Sequence, residues 1–475
     1  MKPSKILLIG VFCFSLSGIT GPYFVEAASQ QANLFKRHHI PSGEVLAGDG
    51  LEGRGNLRQR VSTGQAPERE ELKRSFTAEE AIHLAYLDTF YYRIDRWMPI
   101  LKERIAWLKS SPQSVETQLD LMKYNYSLGG LNLELSHIMG FNKNYKIQKI
   151  ENESLFYTRK AKEIANKILT REGLTPQQQA QAYLYLGAAE GSLGVLEFRA
   201  GNILAALING FHADIHLEKA LDLDRNMMDA HLGLGIYRYG NSRLGGLANL
   251  ILQAGQDRRR EGLVHIERAI RADGISTPLA IKTLAWLYIA VQINPDNATL
   301  PNDHPLSPYV GRLRVHELLA RMETLYFKNP PAPFFVGNKE FTMIKAIQAV
   351  LDGEYVKARD DFEKILRIND FLQIFNGYEI NPQQEVSLRS GIDFCNLMLL
   401  EFLQPERVES NHDICVKIHW QIVFMNNGGR VLEYEVEKMR DEINAVFYQR
   451  LVNLSKTHCR NQDFEIHESG YAFLN

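Results

Sequence analysis

The run Lys339 to Ile365, KEFTMIKAIQAVLDGEYVKARDDFEKI, decides the fold. Ala346 is its eighth residue, and Ala358, Phe362 and Ile365 are its twentieth, twenty-fourth and twenty-seventh. Between them Leu351-Asp352-Gly353-Glu354-Tyr355 reads as a turn, because glycine is the residue that ends a helix in a left-handed conformation. The spacing predicts two antiparallel helices. A small residue at each crossing lets the two backbones approach until the flanking large side chains interlock.

The same arrangement returns upstream. Asp229-Ala230-His231-Leu232-Gly233-Leu234-Gly235-Ile236-Tyr237 is followed by Gly262, Ile266 and Ala269, with about 15 extra residues in between. Tyr183, Leu186 and Gly187 pair in the same way with Ala213, Leu217 and Ala220, again across an insertion. A weaker unit joins Leu284-Ala285-Trp286-Leu287-Tyr288 to Leu318, Leu319 and Ala320 through Asn294-Pro295 and a Pro-rich loop. Tyr326 to Pro330 ends a helix, since the residue before proline is driven out of the α region.

These units resemble the tetratricopeptide repeat. The segments Tyr185 to Gly191, Leu217 to Asp224 and Leu232 to Tyr239 are similar to a family of uncharacterised bacterial secreted proteins with divergent repeats of this kind, mainly over residues 160 to 370. The resemblance implies an all-α, TPR-like α-α superhelix that binds a protein or peptide partner. It supplies no catalytic residues. The chain departs from the repeat consensus by its inserted helical stretches and by Arg225 where a proline often closes a repeat.

Outside the repeats the chain divides readily. Lys2 and Lys5, the apolar stretch Ile6 to Ile19 and Val25-Glu26-Ala27 form a secretory signal pattern over residues 1–27. Cys13 follows bulky Phe12, which argues against lipidation. Residues 28–75 are polar and Gly-rich, without an apolar period, and read as a disordered linker. Thr77-Ala78-Glu79-Glu80 has capping-box spacing and opens the N-terminal helices of 76–170, whose apolar period runs through Ile82, Ala85, Tyr86, Phe90, Ile94, Trp97, Leu101, Ile105 and Trp107. After the repeats of 171–370, residues 371–475 read as a C-terminal helical cap with helices at Phe394 to Phe402 and Val431 to Leu454. Cys395, Cys415 and Cys459 fall in this cap. They allow one disulfide and one free thiol, or simple burial as small apolar side chains, and lack the spacing of a zinc site.

With 54 Lys+Arg against 56 Asp+Glu, the chain is not built to neutralise nucleic-acid phosphates. No phosphate loop or nucleophile elbow is present, and no cofactor is implied. His212 and His216 share a helix face four residues apart and are weak metal candidates; Asp214 lies on another face, and His231 or Glu190 would have to be brought in by folding. Tyr237, Arg238 and Tyr239 are candidate partner-binding residues on a concave face. The stretch Leu244, Leu247, Leu250, Ile251 and Leu252, with Arg258 and Arg259 at its edge, reads as a helix covering the solenoid, its arginines in solvent or paired with Asp257 and Glu261, or else as a candidate partner-facing or membrane-surface helix. The expected function is an exported scaffold holding a protein or peptide partner in the cell envelope, periplasmic or envelope-associated, with possible peripheral membrane contact, no nucleic acid and no catalysis. The alternative is an envelope solute- or metal-binding protein, or a metal-dependent hydrolase, working from a cavity between inserted helices.

Overall fold

The computed structural model describes residues 77–140, 145–200, 202–244, 255–271, 274, 276–330, 335–399, 411–431 and 437–459. The signal pattern, the linker and the apolar stretch after Leu244 lie outside them. All regular structure among the described residues is helical.

The N-terminal hairpin is α1 (Ala78–Thr89) and α2 (Ile94–Ser110). The capping box forms: Thr77 Oγ1 accepts from the Glu80 amide at 3.2 Å, and Glu80 accepts from the Thr77 amide at 2.9 Å. The apolar period suggests one long helix here, but the chain turns at Phe90–Arg93 with Tyr92 at φ 58°, so two helices form. Trp107, expected in the core, is 58 % exposed on the outer face of α2.

Helices then pack in consecutive pairs: α3 (Val115–Met139) on α4 (Tyr145–Leu169), α5 (Pro176–Arg199) on α6 (Ile203–Leu223), and α7 (Asp229–Leu244) on α8 (Arg259–Arg271). The later pairs are α9 (Thr277–Ile293) on α10 (Pro308–Met322) and α11 (Lys339–Asp352) on α12 (Tyr355–Asn376). Ala346, Ala358, Phe362 and Ile365 are all fully buried, as the opening run requires. Leu217 fits between Gly187 and Gly233, where a Cβ would come within 2.8 and 2.6 Å of its side chain. The insertion in the α5–α6 unit is taken up mainly in its first helix, 24 residues against 14 in α11, while α6 at 21 residues matches α12 at 22.

In α10 the buried register differs from the expectation. Gly311, Val315, Leu318 and Met322 face the core, while Ala320 is exposed. The small crossing residue is Gly311, whose Cβ would lie 2.9 Å from the Tyr288 carbonyl.

The C-terminal region is helical, with α13 (Pro382–Leu399), α14 (Asn411–Asn426) and α15 (Glu437–His458). Residues 400–402 and 432–436 of the two expected helices lie outside the described residues, and α14 was not foreseen. Helix α15 packs on α9, α13 and α14. Its Arg450 reaches the C-terminal carbonyls of α11, at 2.5 Å for Val350 and 3.0 Å for Leu351. Cys415 and Cys459 form a disulfide tying α14 to the end of α15, and Cys395 is a buried free thiol.

The N-terminal hairpin does not end the array. Its turn packs against the late part of the chain: Tyr91 donates to the Tyr326 carbonyl at 2.6 Å, and Asn338 donates to the Phe90 carbonyl at 3.1 Å. Asn376 donates to the Tyr92 carbonyl at 3.1 Å. Ile368, Leu372, Tyr378 and Ile380 share one apolar cluster with Ile82, Trp97 and Leu101. Helices α1–α3 are thereby joined to α11–α13.

Candidate functional site

A cavity of about 300 Å³ lies inside this closed arrangement, and each of α1, α3, α5, α7, α9, α11 and α13 contributes to its wall. Up to α13 the odd-numbered helices thus form most of the inner layer, joined by Gly210, Ala213 and Leu217 of α6. Small residues at Gly130, Gly187, Ala188, Gly191 and Gly233 line the wall, and Tyr86, Tyr126, Tyr185, Tyr237 and Trp286 supply a mainly apolar, aromatic surface. Such a wall, with a few convergent polar groups, is the usual form of a small-molecule site.

The polar groups come from four helices. Glu340 on α11 receives Lys282 Nζ of α9 at 2.8 Å, His137 Nε2 of α3 at 3.4 Å and Trp286 Nε1 at 3.2 Å. Glu134 of α3 stands 3.7 Å from the same Lys282 ammonium. Burial alone would push the Glu340 carboxyl up, but Lys282 and His137 together hold it well below the usual carboxylate range. Burial likewise works against the Lys282 charge, and the two carboxylates overcome it, raising that ammonium above its ordinary value.

Lys339, the neighbour of Glu340, has a different environment. Its ammonium donates to the Ile138 carbonyl at 3.2 Å and to the Gln384 side-chain oxygen. Among the described residues no carboxylate lies in ion-pair contact with it, and burial lowers it to about 7. Its backbone amide donates to Tyr92 Oη at 2.6 Å, so the turn that closes the ring also fixes this end of the cavity.

The candidate partner-binding residues separate. Tyr237 lines the cavity, against Gly210. Arg238 is 4 % exposed and turned toward Glu218, Glu261 and Asp214, and Tyr239 is fully buried with its hydroxyl on the Leu287 carbonyl at 3.3 Å. Arg258 is bound by Glu261 and Arg259 by Asp257. The reason is the α6–α7–α8 crossing, which surrounds Arg238 with acidic side chains from two other helices.

His216 meets Glu190, its Nδ1 2.6 Å from the carboxylate, while His212 stands at 3.8 Å and Lys162 Nζ at 3.1 Å from the other oxygen. Folding does bring Glu190 to the two imidazoles, but a lysine takes part in the cluster. Among the described residues no group of three or more His, Cys, Asp or Glu side chains is arranged to hold a metal ion. His231 instead pairs with His265 at 2.7 Å between their Nδ1 atoms.

No protein-family model, curated protein or solved structure matches the chain. No described helix is long and apolar enough to cross a membrane.

Sequence reasoning missed the polar cluster. Lys282 carried a signal, being the single charge in the otherwise apolar helix α9, a pattern that points to a partnered buried cation. Lys339 and Glu340 carried none, since a helix start with mixed charge is commonplace.

Proposed function

We propose that this chain is an exported, non-catalytic binding protein that holds a small solute inside a closed superhelix of divergent tetratricopeptide-type helix pairs. The observation that carries the reading is the inward convergence of seven alternate helices on one largely apolar cavity with a charged end. The repeat assignment is supported by the buried small residues at the pair crossings, including Gly187, Gly235, Gly311 and Ala346. Export is supported by the signal pattern of residues 1–27 and by the Cys415–Cys459 disulfide, a bond that persists in oxidising compartments. Binding rather than catalysis is supported by Lys282 and Glu340, whose charges are neutralised by each other.

The test is native mass spectrometry of the full chain purified from its own envelope fraction, followed by organic extraction. A stoichiometric small molecule released on denaturation supports the reading. An empty chain that binds no member of a solute library overturns it.

A second reading, the protein-binding scaffold, is favoured by one observation. Leu204, Ile208 and Phe211 stand exposed along one face of α6, at 72 %, 48 % and 48 %. Crosslinked capture with Leu204→Ser and Phe211→Ser variants separates the two, because these positions lie outside the cavity wall. A protein partner lost in those variants favours the scaffold.

A further inference from the structure

Among the described residues, the Lys339 ammonium donates only to uncharged oxygens, the Ile138 carbonyl and the Gln384 amide. The other lysine at that end, Lys282, already faces two carboxylates, Glu340 at 2.8 Å and Glu134 at 3.7 Å, and His137 stands 3.4 Å from Glu340. An ammonium among neutral acceptors gains most from an anion, because charge-assisted hydrogen bonds are roughly twice as strong as neutral ones. The rest of the wall offers aromatic rings and small residues. An occupant charged at one end and apolar over the rest fits both halves of this surface.

We propose that the cavity takes a small amphiphile with a single carboxylate, the carboxylate seated on the Lys339 ammonium and the apolar body lying against Tyr185, Tyr237 and Trp286. This rests on the solute-binding reading and names the chemistry of its ligand. A volume of about 300 Å³ sets the ligand at the small end of the pocket-bound range. Gln384 turns its amide to the carboxylate as the second donor, since its oxygen is released when Lys339 finds an anion. The groups facing Lys339 are Glu340 on its own helix, Glu134 and His137 from α3, Lys282 from α9 and Tyr92 from the closing turn. None of them places a second unmatched cation there. Because burial lowers Lys339 to about 7, carboxylate binding draws a proton onto it at and above neutral pH.

The experiment is isothermal titration of the full chain with sodium decanoate and with 1-decanol, comparing the native protein with Lys339→Met, which keeps the length and apolar stem. The expected result is that decanoate binds the native protein at least about tenfold more tightly than decanol, and that Lys339→Met removes this preference while leaving decanol affinity unchanged. Decanoate binding at pH 8 is expected to take up protons, read from heats in buffers of different ionisation enthalpy, and this uptake vanishes in the variant. Equal affinity for the acid and the alcohol, or a preference that survives Lys339→Met, overturns the assignment of Lys339 and leaves the apolar cavity standing. Failure of both ligands and of the uncharged dye N-phenyl-1-naphthylamine to bind a folded protein overturns the solute-binding reading itself. A circular-dichroism melt of Lys339→Met matching the native protein ensures that lost binding is not lost folding.

Discussion

A Cβ on Gly235 would lie 2.6 Å from the Gly262 carbonyl oxygen, and a Cβ on Gly262 would lie 2.7 Å from the Gly235 carbonyl oxygen. Helices α7 and α8 therefore touch backbone to backbone. Neither partner is a flexible side chain that could swing aside.

Gly235→Ala tests this contact against helix propensity. Inside a helix alanine is favoured over glycine by about 1 kcal/mol. The new methyl meets Gly262 and the Ile266 side chain, and overpacking of a core typically costs about 1–3 kcal/mol. The clash wins, so urea unfolding should show a net loss of about 1 kcal/mol, and at most about 2 kcal/mol. Gly191→Ala in α5, where the nearest atom is the Ala213 Cβ at 3.9 Å, should hold or raise stability.

Asn338 joins two parts of the chain. Its Oδ1 caps α11 by accepting from the Phe341 amide at 2.9 Å, and its Nδ2 donates to the Phe90 carbonyl in the distant turn. Asn338→Ala removes a cap worth about 1 kcal/mol and strips a buried carbonyl of its donor, for a total loss of about 2–3 kcal/mol. Limited trypsin digestion should then cut at Arg93 and Arg96, sites protected in the native protein.

Acid should weaken the α7–α8 contact through its histidines. Arg238 donates to His265 Nε2 at 2.7 Å, so His265 must present its proton on Nδ1 to His231 Nδ1, and both rings are neutral. Burial, then Arg238, lowers His265 to about 4, and burial lowers His231 as well. The folded chain thus binds fewer protons than the unfolded one between pH 4 and the ordinary histidine value of 6.5. Stability is present in full above about 6.5 and falls as pH drops toward 4, by up to about 3 kcal/mol from His265. His265→Gln should flatten denaturant midpoints across that window, although Asp214, pushed up by burial, continues to titrate at its lower end.

The Cys415–Cys459 bridge spans 44 residues, a loop whose closure is worth about 4 kcal/mol on the chain-entropy account. Reduction should lower the melting temperature of the folded protein. Cys395, pushed up to about 12 by burial, should resist iodoacetamide in the native state and react only on unfolding.

The helix pairs were legible because their signal is local. Ala346, Ala358 and Phe362 announce a crossing within 17 residues of one another. The turn at Tyr92 was not, since the apolar period of α1 and α2 continues through it and only the distant Tyr326 and Asn338 reveal why it bends. The register of α10 was misjudged because Ala320 looks like a crossing residue, while Gly311 lies in a loop-like run after Pro308. The cavity was half visible. Tyr237 and Gly233 stood out as pattern residues, but Lys282, Lys339 and Glu340 acquire meaning only when four helices meet.

The contact between the turn at Tyr92 and Asn376 crosses 284 residues of chain. An open array of repeats can be assembled or frayed one unit at a time, because each unit depends on its neighbours alone. Here the first hairpin finds its final seat only after the last repeats exist. Joining positions so far apart is a slow step, because loop closure precedes its reward. During synthesis, which delivers the N-terminus first, this hairpin waits for its partner. The finished molecule should then unfold as one cooperative body, and removing either end should loosen the other.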